Sequence, residues 1–179
     1  MKMHLEFWKM IEALDEETVL CGPDGDPDDV IVDPIMGSDF QTALADYATD
    51  GEIPDLSAFV QEVLAPLEPV AWVGDVRIVP ALGVEGYEFG LIALDKTDKI
   101  AGIFSGPTLC VSSEFSGQGI ARQLVVERMI RDRELPTWDH DKPGYSPGGE
   151  GVILSALDEL QSRAKHEIEE LSSTPEPDF

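Results

Sequence analysis

The sequence predicts a single α/β domain in which a mostly antiparallel mixed sheet is flanked by helices. Three observations carry that expectation. A block between Val70 and Val111 is β in character, its three runs "VAWVGDVRIVPAL", "GYEFGLIAL" and "KIAGIFSGPTLCV" separated only by the turn segments "GVEG" and "DKTD". Such short connections join antiparallel neighbours. Runs with helical periodicity precede and follow the block, and 179 residues suffice for one sizeable core without disulfide or metal support.

The elements follow in order. In "MKMHLEFWKMIEAL" the charges Lys2, Glu6, Lys9 and Glu12 interrupt any secretory apolar run, so the segment reads as an amphipathic helix. "CGPDGDPDDV" is a turn-rich acidic loop closing an acidic N-terminal extension over residues 1–29. Its aspartates Asp24, Asp26, Asp28 and Asp29 invite a calcium reading, but the distal bidentate glutamate of a calcium loop is missing. "VIVDP" reads as a first strand stopped by Pro34.

Ser38 with Gln41 fits a capping box opening a helix over "DFQTALADYA". Asp55 opens a second, "LSAFVQEVLA", which Pro66 ends. After the β block, "GQGIARQLVVERMIRD" repeats Ile120, Leu124, Val125 and Met129 at helical spacing. "RELPTWDHDKPGY" holds at most a short strand. Ser146 and Pro147 then start a last helix whose stripe is Val152, Ile153, Ala156, Leu157 and Leu160, with Gly148, Gly149 and Gly151 weakening its first turn. The domain is expected over residues 1–171, with a flexible tail at 172–179.

Composition restricts the partners. Thirty-six acidic against 12 basic residues give a net charge of −24. Residues 1–65 hold 16 acidic and 2 basic residues, and residues 66–179 hold 20 and 10. Such a field repels nucleic acid and anionic membranes and attracts cations or basic partners; adaptation to salty surroundings or plain solubility is the first explanation for it, and a basic substrate or protein partner the second. No apolar stretch approaches the roughly 20 residues of a membrane span. Cys21 and Cys110 have no Cys or His neighbour at zinc-ligand spacing, so no metal is expected and a reducing cytoplasm is the expected compartment.

The chemistry-bearing stretch is "LCVSSEFSGQGIARQLVVERMIRD", Leu109 to Asp132. It sets "SGQGIA" between an extended run and a helix, where first-turn N–H groups lack partners at the positive end of the dipole. Gly117 and Gly119 carry no Cβ to hold a ligand away from those amides. A Walker loop requires a Gly-Lys-Ser/Thr ending that is absent. A Rossmann fingerprint requires a small residue where Arg122 stands, and a strand that begins a βαβ unit.

The segment resembles the acyl-CoA-binding motif of the GNAT superfamily of N-acetyltransferases, in which a strand ends in a (Gln/Arg)-x-x-Gly-x-(Gly/Ala) loop that opens a helix. Gly119 and Ala121 occupy the two small positions, and Ser116 stands where the family usually has Gln or Arg. The order of elements over residues 30–165 is similar too. The resemblance implies an acetyl-CoA or other acyl-CoA site: pyrophosphate on the amides of Gly117, Gln118, Gly119, Ile120 and Ala121, pantetheine paired along Leu109, Cys110 and Val111, and Arg122 reaching a phosphate. It also implies a thioester carbonyl polarised by an N–H near Val111 and attacked by a deprotonated amine.

The chain departs from the family in two further respects. The family's last two strands have no counterpart after "PTW", and the last helix lacks the tyrosine that commonly protonates the leaving thiolate, for which Tyr145 is the nearest substitute. Glu88 is a candidate general base on a strand where alternation makes it solvent-facing. His140, between Asp139 and Asp141, is a catalytic candidate in a loop where a lone histidine is ordinarily solvated. Cys110, in an apolar run, reads as packing rather than nucleophile. Trp8, Trp72 and Trp138 read as core or rim, and Arg128, Arg131 and Arg133 as a solvated helix end.

Two functions are therefore expected to compete. One is an acyl-CoA-dependent N-acyltransferase acting on an amine of a small molecule or basic peptide. The other is a catalytically inactive acetyltransferase-like module whose acidic surface binds a basic protein; a DNA mimic is a weaker third. A homodimer is compatible with either.

Overall fold

The structure, a computed structural model, describes residues 2–16, 19, 39–106, 108–133 and 147–173. The expected strand at "VIVDP", the acidic loop, the Ser38 cap, the "PTW" strand, Trp138, Tyr145, the Asp139–His140–Asp141 cluster and the Ser146 cap lie outside the described residues.

The chain opens with α1 (Lys2–Ala13), as its amphipathic pattern predicts. Helix α2 (Phe40–Asp50) is capped by Asp39, whose Oδ1 accepts from the Thr42 amide at 2.9 Å. Hydrogen bonding to that amide holds the Asp39 carboxyl below the usual carboxylate range. Asp55 caps α3 (Leu56–Phe59) in the same way through Ala58, at 3.1 Å. Helix α3 runs into a π-helical turn (Val60–Leu64) whose Ala65 amide reaches back to the Val60 carbonyl, so that both Val60 and Leu64 are buried.

The β block forms β1 (Ala71–Val73), β2 (Val76–Leu82), β3 (Glu88–Leu94), β4 (Ile100–Ser105) and β5 (Thr108–Val111), paired antiparallel throughout in the order β1-β2-β3-β4-β5. Three expected strands are thus five. Gly74 (φ +57) and Gly106 (φ +53) turn the first and third runs back on themselves. Two-residue hairpins need such positive φ at their first central residue. A 3₁₀ turn (Ser113–Phe115) leads to α4 (Ile120–Asp132), and α5 (Pro147–Ser173) ends the described chain. Its helix continues through Ser173, past the expected start of the tail at residue 172. Among the described residues no strand follows β5 and no helix is long and apolar enough to cross a membrane.

Both faces of the sheet are covered. Val76, Ile78, Leu91, Ala93, Ala101 and Phe104 pack under α1, α4 and α5 through Trp8, Ile11, Leu124, Met129, Ile153 and Leu160. Val79, Ala81, Ile92, Leu94 and Ile103 pack under α2 and α3 through Tyr47, Val60 and Leu64. A bulge leaves Ala101 without an opposite residue, because Ala93 pairs with Gly102 and Leu94 with Ile100. The extra residue turns Ala101 to one core while Ile100 and Ile103 serve the other. A second irregularity centres on Gly90 (φ +149), where a Cβ would lie 1.9 Å from the Phe104 carbonyl oxygen.

Candidate functional site between the glycine loop and the last helix

Strand β5 carries the chain to the site. It pairs with β4 from Ser105–Thr108 to Gly102–Val111, and its outer edge has no partner strand among the described residues. Alternation sends Leu109 and Val111 toward the α4 side and Cys110 toward the α2 side. Burial first, then the nearby Asp39 carboxylate, push the Cys110 thiol pKa up, which suits the packing role read from its sequence context.

The loop between β5 and α4 is wound by two left-handed glycines, Gly117 (φ +77) and Gly119 (φ +83). Gly119 is the N-cap of α4 and offers no side chain to the first-turn amides. Among the described residues, the amides of Gly117, Gln118, Gly119 and Ile120 donate to no carbonyl. Helix α4 sits close on the sheet because β4 presents Gly102 beneath it. A Cβ there would stand 3.1 to 3.3 Å from Val111, Ile120 and Leu124 side chains. Ile120 is thereby buried by its side chain while its backbone stays at the loop.

Side-chain pairs lock α5 alongside α4. Arg122 Nε meets Glu159 Oε2 at 3.2 Å, and Arg163 reaches both Glu159 (2.6 Å) and Glu127 (3.5 Å). Both numbers rise together along these pairs, so the two helices run parallel. Between the first turn of α4 and the second and third turns of α5 lies a cleft of about 580 Å³. One wall is Val111, Phe115 and the loop from Ser116 to Arg122; the other is Gly151, Val152 and Ser155 of α5. Gly151 leaves open space where a side chain would project.

Among the described residues none that lines the cleft is acidic, in a chain where 36 of 179 residues are. Among the described residues the one ionisable lining group is the Arg122 guanidinium, 3.6 Å from where a Gly119 Cβ would be. The first turn of α4, the unpaired loop amides and the Arg122 guanidinium therefore face the same space, an environment that favours an anion with several oxygens.

Of the residues singled out in the sequence, the structure brings Val111, Gly117, Gln118, Gly119, Ile120, Ala121 and Arg122 to one cleft. Leu109 packs beneath α4 and Cys110 lies on the other face of β5. Glu88 is elsewhere: it pairs with Arg131 at the far end of α4, beside a small recess of about 170 Å³ that shares no residue with the cleft. Tyr145 and His140 lie outside the described residues.

The α5 wall was missed by sequence reasoning. Its signal was the small-residue run Gly148, Gly149 and Gly151, read only as a weak helix start. The arginines at the end of α4 also differ from the solvated face expected of them. Arg128 donates to the Gly106 carbonyl at 2.6 Å, pairs with Asp132 and lies 4.2 Å over the Phe104 ring. Comparison with protein-family models, with curated proteins and with solved structures finds no match.

Proposed function

We propose that the chain is an acyl-CoA-dependent N-acyltransferase, acetyl being the acyl group the motif favours, that transfers to an amine of a small molecule or basic peptide. The observation that supports this reading is the cleft itself: its described lining holds no carboxylate and includes the glycine loop and first turn of α4, in a protein of net charge −24. The residues present fit a coenzyme A pyrophosphate. Gly117 and Gly119 let loop amides approach phosphate oxygens, and Arg122, oriented by Glu159, supplies the one counter-charge.

The open edge of β5 suits an extended amide-bearing arm, which would add to the sheet as a strand does. Bound there, the thioester supplies an activated acyl carbonyl. The chain would hold that carbonyl against a backbone N–H near Val111 while the amine nitrogen bonds to the carbonyl carbon, the carbon–sulfur bond breaks and CoA departs as a thiolate that takes up a proton from water. No lining residue among those described can take a proton near neutral pH, so the amine's proton would leave through water. Calorimetric titration with acetyl-CoA and CoA at two salt concentrations tests the reading. Micromolar affinity supports it, and folded protein that binds neither ligand refutes it.

That same lack of a lining base favours a second reading, a catalytically inactive module that retains the fold of the cleft but serves protein binding. The readings separate on a panel of amines. Amine-dependent release of free CoA thiol supports the enzyme, and CoA binding with no release supports the module.

A further inference from the structure

At the opposite edge of the sheet from β5, we propose that β1 is a docking site for an extended basic segment of another protein, which adds to the sheet as a sixth strand against Trp72. Strand β1 is the last in the sheet and pairs only with β2 among the described residues. Exposed edges of this kind are ordinarily blunted by lysine or proline or by cover. This one is three residues long and displays Trp72, 60% exposed, with Val70, 46% exposed, just before it. Trp72 stands opposite Arg77, and alternation along β2 puts that pair on the side of the sheet that carries α2 and α3. Arg77 does not blunt the edge, because its guanidinium is taken by the Asp95 carbonyl and the Asp98 carboxylate.

Charge selects the occupant. From Met10 to Val76 the sequence has 17 acidic residues and no lysine, arginine or histidine. On the side Trp72 faces, Asp46, Asp50, Glu52, Glu62 and Glu68 are exposed and enter none of the described ion pairs. Across the sheet, Glu127, Asp132 and Glu159 each meet an arginine. The side with the exposed tryptophan thus presents carboxylates that no described cation neutralises. A second copy at this edge would bring two such surfaces together, whereas a lysine- or arginine-bearing strand gains ladder hydrogen bonds, charge neutralisation and cation–π contact with Trp72.

The test uses the full chain, a short dye-labelled peptide of alternating lysine and valine, and a second peptide of equal charge with prolines replacing alternate valines. Fluorescence anisotropy is expected to show the alternating peptide binding at least about tenfold more tightly than the proline peptide. Trp72→Ala is expected to remove that preference while leaving the melting temperature and the CoA titration of the distant cleft unchanged. Equal affinity for the two peptides, or an unaffected Trp72→Ala variant, would reduce the attraction to diffuse charge and overturn the proposal. So would failure of the alternating peptide to bind, or sedimentation showing a dimer that Trp72→Ala dissociates, which would make the occupant a second copy.

Discussion

Gly119→Ala separates what the loop does for folding from what it does for binding. Gly119 lies at φ +83, a left-handed conformation that costs an L-residue about 1–2 kcal/mol. For a chain of this length each kcal/mol lowers the melting temperature by roughly 2–4 °C. The added Cβ meets nothing closer than Arg122 Nη2 at 3.6 Å, so no clash compounds the strain. It would instead stand among the amides at the cleft. Loss of one amide-to-phosphate bond, about 1.5–3 kcal/mol for a charged partner, weakens CoA binding by about ten- to a hundredfold.

Gly86→Ala is the matched control. Gly86 has φ +77 and open space for a Cβ, in the hairpin between β2 and β3 and outside the cleft. It carries the same backbone cost with no effect expected on CoA. Calorimetry for affinity and thermal melts for stability read both variants. If both lose similar stability and both bind CoA like the parent, the glycine loop is a structural turn and the anion-cradle reasoning is wrong.

Other perturbations probe the scaffold. Gly90→Ala would drive its Cβ to 1.9 Å from the Phe104 oxygen at φ +149; a loss of about 4 kcal/mol is expected from strain and overpacking together, and an unchanged denaturant midpoint would contradict the bulge geometry. Arg128→Ala removes the bond to Gly106, the Asp132 pair and the Phe104 contact, and should cost about 2–3 kcal/mol by chemical denaturation. Tyr47, buried with its hydroxyl donating to the Leu82 carbonyl, has its pKa raised by burial. The folded state then holds this proton more tightly than the unfolded chain, so the stabilisation is complete below pH about 10 and declines above it. Tyr47→Phe should flatten that alkaline decline while costing about 1–2 kcal/mol at neutral pH, since the carbonyl loses its donor. An alkaline limb identical in both proteins would contradict the assignment.

What could be read in the sequence was local. Asp55 before "LSAF", Pro66 after "VQEVLA" and the 3.6-residue stripe of Ile120, Leu124 and Met129 each act through neighbours a few residues away, and the helices they predict are present. The glycines of "SGQGIA" belong to the same class, because a positive φ is a property of one residue and its adjoining peptides. The hairpins at Gly74 and Gly106 were equally local, but their turn pairs sat inside continuous apolar runs that read as single strands. By itself, then, the sequence determined the element types, the left-handed loop and the excess of negative charge. Only the tertiary structure decided where those features meet. It set α5 parallel to α4 through Arg122, Glu159, Arg163 and Glu127, which carried Gly151 and Ser155 to the loop. It also sent Glu88 to Arg131 at the other end of the helix, and left Trp72 exposed on a strand that is last in the sheet among the described residues. Such contacts join residues tens of positions apart, and no short-range periodicity encodes them.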